Sequence, residues 1–470
     1  MGKASNDYVP AQVPAGQNDL FRNFGLIWLA VHLIEAAPRR VRRALKSQED
    51  AVLRAIVRYG FRIPVLVHSK PDGNGYEVID GHMRLAAARR LEAEEIPCIL
   101  VDDLSEVETR RLALSLNKLQ ETGAWDDDAL RLEINEILEI GCEIEIPGFD
   151  LPELEAIRFG VGEGEEPDPA DDISRQHQPG APVVTQLGDI WRLDEHLVCC
   201  GSARDGASLT ELLDGEVADV LFTDPPYNVK INGHVRKNGS GFAEFGEASG
   251  EMSCADFVAF LVETLGSTVA QLKPGGVLYA CMDWRHINEL KEALEALKVE
   301  VLNICVWVKT RAGMGSLYRS QHEFVFVARR PGAGHQNNVR LGKHGRNRSN
   351  VWSYAGATGG RADPDDSFDV HPTVKPIRMV MDALLDVSSP GDWVVDPFLG
   401  SGTTLLAAER TRRRCAGVEI EPAYVDLAIR RWQDMTGGQA MSVATGVSFD
   451  EMVARAERDD GPIDQAGEGF

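Results

Sequence analysis

Two short segments carry residue types that suit a ligand site, and the first is Thr223-Asp-Pro-Pro-Tyr227. It follows the apolar run Ala218–Phe222, which predicts a strand. The two prolines fix the backbone and remove two donors, so Asp224 and Tyr227 are held rigidly where the strand ends. Ligand sites of α/β proteins lie at the carboxyl ends of strands. A rigid turn without a ligand could have the same Asp-Pro-Pro-Tyr sequence. The second segment helps to decide between a rigid turn and a ligand site.

The second segment, Pro397-Phe-Leu-Gly-Ser-Gly-Thr-Thr404, lies between a predicted strand at 392–396 and a helix that runs to Arg410. Its glycines let the backbone approach a ligand closely, and the helix N-terminus offers free N–H groups. Thr403 follows Gly402 where a phosphate loop would need lysine, which disfavours phosphate. The next predicted strand ends at Glu419, where an acid can bind ribose hydroxyls. A helix N-cap or a surface acid is the structural alternative for Glu419.

The composition is that of a soluble globular protein with two or three domains: 470 residues, 43% hydrophobic and 26% charged. A net charge of -24 argues against a general polyanion binder. From Val301 to Ala362, however, Glu323 stands as the single acid among ten basic residues. This basic stretch predicts a surface that contacts phosphates, and a solvated loop is the alternative. The basic residues are Lys309, Arg311, Arg319, Arg329, Arg330, Arg340, Lys343, Arg346, Arg348 and Arg361.

Membrane and metal roles are not indicated. The sequence has no apolar run long enough to span a bilayer. Its eight cysteines include no C-x2-C pair, so we expect no metal site and reduced thiols in a cytoplasmic protein.

The pattern along the chain predicts two folded units. Residues 1–23 are expected to be flexible, and residues 24–160 to form a smaller α+β domain, with strands at 63–68, 76–80 and 96–101. Residues 161–182, rich in Gly, Pro, Asp and Glu, are expected to be a linker. Residues 183–435 alternate short apolar runs with helical patterns, which predicts a doubly wound α/β sheet. The acidic stretch 436–470 is expected to be a weakly ordered tail.

The two motifs together resemble the N6-adenine/N4-cytosine DNA methyltransferase family over about residues 183–435. Their order along the chain resembles the circularly permuted β group of that family. His371-Pro-Thr-Val-Lys-Pro376 and Leu272-Lys-Pro-Gly-Gly-Val277 resemble two further family segments. The family keeps its target-recognition region between the two motifs, here about 329–362. The resemblance therefore implies that DNA contacts come from Arg340, Lys343, Arg346 and Arg348.

The resemblance implies a Rossmann-like sheet that binds S-adenosylmethionine. The implied cofactor-binding residues are Asp396, Phe398, Gly400, Ser401, Gly402, Thr403, Glu419, Lys375 and Ser202. One position departs from the family, which often has Cys-Gly-Asp ahead of the catalytic strand. This chain has Cys200-Gly201-Ser202, so the contact that the family's acid makes near the adenine is in doubt.

The resemblance also implies a mechanism on double-stranded DNA. Asp224 and the carbonyl of Pro225 would accept the two N–H bonds of an exocyclic amino group, and Pro226 would keep the turn rigid. Tyr227 would stack on the flipped base. Asp at position 224 favours N6 of adenine, while N4 of cytosine stays open. An RNA substrate is less typical of this family.

Residues 24–120 resemble the ParB-like N-terminal family through Val78-Ile-Asp-Gly-His-Met-Arg84 and the helix that follows. The turn can bind phosphate, which implies a nucleotide held by Gly81 and Arg84. His82-Met83-Arg84 departs from the family's acid-Arg-Arg, so we favour a non-catalytic domain that helps to hold DNA or a partner. A ParB-like DNA-binding protein with a degenerate methyltransferase half is the alternative from another class. Whether the chain forms a homodimer stays open.

Overall fold

The computed structural model describes residues 25–37, 46–119, 125–139, 146–160, 168–173, 182–229, 248, 250–310, 312, 317–341, 348–356 and 374–458. The chain divides into two units, residues 1–158 and 159–470. Each unit has its own sheet and its own apolar core.

The first unit is built on a five-stranded sheet in the order β1-β5-β3-β4-β2. Strands β3 and β4 pair antiparallel, as the sequence predicts for two runs joined by a Gly-rich turn. The core lies between this sheet and helix α2 and includes Ile34, Val67 and Leu85. The elements are β1 Leu26–Ala30, β2 Ile34–Glu35, α1 Lys46–Tyr59, β3 Val65–Ser69, β4 Tyr76–Asp80, α2 His82–Arg90, β5 Glu95–Leu100, α3 Glu106–Leu119, α4 Asp127–Glu139 and α5 Leu151–Phe159.

The second unit is built on a ten-stranded sheet in the order β12-β10-β11-β9-β8-β13-β14-β7-β6-β15. Its elements are β6 Ile190–Leu193, β7 His196–Cys200, α6 Gly206–Leu213, β8 Ala218–Thr223, α7 Cys254–Gln271, β9 Leu272–Met282, α8 Ile287–Ala296, β10 Glu300–Lys309, β11 His322–Arg329, β12 Val351–Tyr354, α9 Ile377–Val387, β13 Trp393–Asp396, α10 Thr403–Arg410, β14 Arg414–Glu419, α11 Pro422–Thr436, β15 Met441–Ser442 and α12 Phe449–Glu457.

The middle of this sheet is parallel and covered by helices on both faces, which confirms the predicted doubly wound class. Strands β9, β8, β13, β14 and β7 pair parallel in that order. Alternate residues of β8 enter opposite cores: Val220 and Phe222 pack with helices α9 to α11, and Leu221 packs with α6 to α8. A strand buried on both faces explains the near-continuous apolar runs in the sequence.

Two segments predicted to be loose are packed where the structure describes them. In the predicted linker, a short 3-10 helix at Pro169–Asp171 buries the Asp171 carboxylate, which accepts the backbone N–H of Ile377 at 2.9 Å. In the predicted tail, β15 pairs with β6 and α12 follows. Both predictions were wrong for these residues, because an acidic, Gly-containing composition does not show that single side chains such as Phe449 are anchored in a core.

We predict that Phe449→Ala destabilises the second unit by about 3–5 kcal/mol. Phe449 is 1% exposed and meets the Trp191 ring edge-on, with centroids 5.5 Å apart. Urea unfolding should show this loss, whereas Leu187→Ala, at a residue that is 69% exposed, should leave the midpoint almost unchanged. Equal midpoints for the two variants would show that α12 is not anchored as described.

Candidate active site

The two motif segments emerge side by side because their strands are neighbours. Strand β13 pairs parallel with β8 in the register Val394↔Val220 and Val395↔Leu221. The segment after β8 and the segment after β13 therefore leave the same edge of the sheet, at its carboxyl end. The strand that follows β8 along the chain, β9, lies on one side of the β8–β13 pair in the sheet. The strand that follows β13, β14, lies on the other side. This is the switch point at which doubly wound sheets bind ligands.

Asp224 is held by two donors at this edge. The Tyr227 hydroxyl donates to its Oδ1 at 2.6 Å, and the Lys375 ammonium lies 2.5 Å from its Oδ2. Burial raises the pKa of Asp224, an effect that Lys375 opposes and the nearby Glu323 carboxylate reinforces. Each carboxylate oxygen can accept a second hydrogen bond, so Asp224 still has acceptor capacity for a ligand.

Lys375 comes from the short segment before α9 and is only 5% exposed. Its ammonium also lies 3.2 Å from Glu323, and the rings of Tyr227 and Trp307 lie 5.3 and 5.9 Å away. Burial disfavours its charge, but Asp224 and Glu323 outweigh burial and raise the pKa of Lys375. The lysine therefore stays charged, and it lies against the carboxylate of the Asp-Pro-Pro-Tyr segment.

Glu323 on strand β11 completes this cluster. Lys309 on β10 lies 2.5 Å from its Oε1, and the Tyr227 hydroxyl lies 3.0 Å from its Oε2. Burial alone would raise the pKa of Glu323, but Lys375 and Lys309 hold it at about 2. Two acids and two lysines thus share one half-enclosed site with balanced charge.

The glycine segment forms a tight turn between β13 and α10. Gly400 has φ +54° and Gly402 has φ +87°, conformations that favour glycine. The Gly400 N–H donates to Glu419 Oε2 at 2.8 Å, and the N–H of Glu421 donates to Oε1 at 2.9 Å. Burial raises the pKa of Glu419. The acid at the end of β14 therefore lies beside the glycine turn, as the sequence predicts.

Asp396 and Ser401 have hydrogen-bond partners within the protein, and Thr403 is buried. Asp396 accepts from Thr404 Oγ1 at 2.6 Å and from the N–H of Phe398 at 3.0 Å, and burial raises the pKa of Asp396 to about 7. Arg431 donates to the carbonyl of Ser401 at 2.6 Å. Thr403 is buried at the first position of α10. These residues hold the turn in place.

Ser202 lies close to the same edge. The N–H of Gly201 donates to the carbonyl of Glu419, the last residue of β14, at 2.9 Å. Ser202 directly follows Gly201 and therefore lies near the carboxyl end of β14. Asp205, the nearest acid after Gly201, accepts the N–H of Ala207 as the N-cap of α6. A serine therefore stands at the position where the family often has an acid.

The basic stretch is largely satisfied within the described part of the chain. Arg348 packs against Asp382 and Asp386 at 3.2 and 3.0 Å, so we do not carry it forward as a DNA contact. Arg329 pairs with Glu300, and Arg330 donates to backbone carbonyls. Arg340 is exposed, whereas Lys343 and Arg346 lie outside the described residues. A count of basic residues cannot show which charges are already paired, so the phosphate-contacting surface stays a prediction for the remaining residues.

In the first unit, Gly81 has φ +103° and begins helix α2, as the predicted turn requires. The Arg84 guanidinium lies over Gly81 and pairs with Asp80 at 2.9 Å. A phosphate at this turn would have to compete with Asp80 for Arg84, so the nucleotide stays a prediction. Among the described residues, no helix is long and apolar enough to cross a membrane, and no cluster of His, Cys, Asp and Glu could hold a metal ion.

The parallel sheet, with a glycine turn and an acid at neighbouring strand ends, is the Rossmann-like fold expected of methyltransferases. Residues 218–430 match a family model described as DNA methylase, and residues 18–118 match the model of the ParB N-terminal domain. Over these two ranges the chain is similar to the DNA methylase family and to the ParB N-terminal domain.

Two curated relatives are similar to this chain. Type II methyltransferase M.HinfI of Haemophilus influenzae is 27% identical over 235 residues, which are 47% of this chain and 65% of the relative. Type II methyltransferase M.HpaI of Haemophilus parainfluenzae is 26% identical over 258 residues, which are 51% of this chain and 74% of the relative. The solved PvuII DNA methyltransferase, described as cytosine-N4-specific, is 15% identical with a TM-score of 0.40, over 63% of this chain and 96% of that one.

Sequence reasoning missed Glu323, Lys309 and Trp307 as parts of the site. A signal was present, because Glu323 is the lone acid of a basic stretch and directly precedes the apolar run Phe324–Ala328. A buried acid needs a cation, and Lys309 lies on the same face of the neighbouring strand β10 as Trp307, which stands opposite Glu323. Lys375 was predicted to contact the cofactor, and the structure brings it to Asp224.

We predict that Gly402→Ala costs more stability than Gly400→Ala. At Gly402 a Cβ would lie 2.8 Å from the Ala428 Cβ, so a clash of roughly 1–3 kcal/mol adds to the strained φ. At Gly400 the nearest atom would be 4.0 Å away, and only the strain of about 1–2 kcal/mol applies. Urea unfolding of both variants measures the difference, and equal losses would contradict the close packing of α10 on α11.

Proposed function

We propose that the chain transfers a methyl group from S-adenosylmethionine to N6 of adenine in double-stranded DNA. The observation that carries this proposal is the position of Asp224, a partly buried carboxylate on a proline-fixed turn beside the glycine turn of β13. Asp at this position favours adenine, and N4 of cytosine is the second candidate. The DNA methylase match supports the reaction class, while the choice of base rests on Asp224 alone.

The residues around the glycine turn fit the cofactor. Glu419 is 9% exposed, and its two oxygens each keep a lone pair free after accepting from Gly400 and Glu421. That acceptor set suits the ribose hydroxyls. Phe398 and Ser202 flank the same edge of the sheet. When bound, S-adenosylmethionine supplies a sulfonium methyl group that an amino nitrogen can attack in line.

The chain's own residues would prepare that nitrogen. Its lone pair is delocalised into the base, so it is a poor nucleophile. Asp224 and the carbonyl of Pro225 would accept its two N–H bonds, direct the lone pair towards the methyl group and stabilise the growing positive charge. Most of the acceleration would come from this positioning. No covalent bond to the protein is required.

The DNA must deliver the base outside the helix, because its amino group is buried in the duplex. Tyr227 is the proposed stacking partner, since its hydroxyl is fixed by Asp224 and Glu323 while its ring borders the site. Arg340, Lys343 and Arg346 stay the proposed phosphate contacts.

We predict that Asp224→Ala abolishes methylation and leaves cofactor binding intact. Unmethylated genomic DNA would be incubated with methyl-labelled S-adenosylmethionine, and the nucleosides would be analysed by mass spectrometry. The expected product is N6-methyladenine with the natural chain and with Glu292→Gln, an exposed acid away from the site. N4-methylcytosine would move the assignment to the second candidate. No methylated base with the natural chain, despite cofactor binding, would favour a degenerate methyltransferase half or an RNA substrate.

We predict that Glu419→Ala weakens S-adenosylmethionine binding by roughly tenfold or more, about 1.4 kcal/mol. The reason is the loss of a buried acceptor at the glycine turn. Glu421→Ala is the matched control, because Glu421 is an exposed neighbour. Titration calorimetry with S-adenosylmethionine measures both. An unchanged dissociation constant in the Glu419 variant would contradict the assigned cofactor site.

A further inference from the structure

Glu323 is buried in strand β11 and has no place in the proposed chemistry so far. It is 7% exposed and stands opposite Trp307 in the register of β10 and β11. A buried carboxylate is costly unless it is paired and hydrogen-bonded, so its partners show what keeps it there.

Those partners are the same groups that hold Asp224. Lys375 lies between the two carboxylates, 2.5 Å from Asp224 and 3.2 Å from Glu323. The Tyr227 hydroxyl also lies between them, 2.6 Å from Asp224 and 3.0 Å from Glu323. Glu323 thus contacts both Lys375 and Tyr227, the two residues that hold Asp224.

This arrangement fixes the charge around Asp224. Without Glu323, the ammonium of Lys375 would pair with Asp224 alone and compete with an incoming amino group for its oxygens. With Glu323 the ammonium is shared between two acids. Tyr227 has one hydroxyl proton, and both carboxylates lie within hydrogen-bond distance, so a bond to Glu323 leaves Asp224 free of that donor. Lys309 lies 2.5 Å from Glu323 and balances the added negative charge.

We propose that Glu323 is a positioning residue for methyl transfer, which from strand β11 holds Lys375 and the Tyr227 hydroxyl so that Asp224 keeps acceptor capacity for the amino group of the base. This inference rests on the proposed function, and it adds a residue from outside the two motifs to the reaction.

The pH dependence of the reaction gives a test that a purely structural role would not pass. The groups that face Asp224 are Lys375, Glu323, Tyr227, Asp396 and Cys281, with Lys309 behind Glu323. Asp224 must be ionised to act as the strong acceptor for one N–H of the amino group, so activity falls as pH drops through its raised pKa. Removing the negative charge of Glu323 lowers the pKa of Asp224 and moves this acid limb to lower pH. Removing the positive charge of Lys309 moves the limb to higher pH.

The experiment compares Glu323→Gln and Lys309→Met with the natural chain in single-turnover methylation of unmethylated genomic DNA across pH. Glu323→Gln keeps the shape of the side chain. We expect the single-turnover rate constant to fall roughly tenfold or more, while the S-adenosylmethionine concentration for half-maximal rate stays within about twofold. The acid limb should move down in Glu323→Gln and up in Lys309→Met. Glu300→Gln, a surface acid on the adjacent strand, is the matched control with unchanged rate and limb.

The outcomes separate this inference from the proposed function. If the natural chain methylates no base, the proposed function fails first. If it methylates DNA and Glu323→Gln matches Glu300→Gln in rate and acid limb, the positioning role is wrong. Should Glu323→Gln fail to fold, as thermal melting would show, Lys309→Met and Glu323→Asp carry the test. Lys309 is partly exposed, so its variant should fold, and an acid limb that does not rise would overturn the inference.

Discussion

The ammonium of Lys375 is buried among two carboxylates and two aromatic rings, and the proposed catalytic end of the sheet is organised around that charge. A lysine so enclosed is stable only while its partners stay ionised and close. Asp224 comes from the turn after β8, Glu323 from β11, and Lys375 from the segment before α9. One charge therefore ties together three parts of the chain that lie far apart in sequence. Loss of any partner leaves another buried charge uncompensated.

The proposed cofactor side of the site depends on a different constraint: the backbone of the glycine turn after β13 must pack closely against α11 and β14. Gly402 lets α10 pack against Ala428, and Gly417 leaves room for Leu399. The turn so formed presents the Gly400 N–H to Glu419. Since β8 and β13 are parallel neighbours, this turn and the Asp224 turn face the same opening. Cofactor binding and base positioning are thus proposed for adjacent strand ends of one rigid sheet.

Charge in the sequence proved a poor guide to exposed charge in the fold. The basic stretch between Val301 and Ala362 suggested a phosphate-binding surface. Two of its charges are instead paired within the fold: Lys309 with Glu323, and Arg348 with Asp382 and Asp386. The acids that pair with Arg348 belong to α9, which follows the stretch. Composition counts charges along the chain, whereas partners are chosen by tertiary contacts.

The sequence by itself determined the doubly wound class, most strands near the site and the two motif turns. These features are local: strands buried on both faces leave continuous apolar runs, and prolines and glycines mark turns at fixed positions. It also placed Asp224 and Glu419 at strand ends, where the structure has them. The sequence did not show that Phe449 anchors the C-terminal helix or that Asp171 caps α9, because single buried contacts leave no periodic pattern. Only the tertiary structure brought Glu323, Lys309 and Lys375 to Asp224, because the order of strands in a sheet, and so the neighbours of a buried charge, is decided by long-range packing.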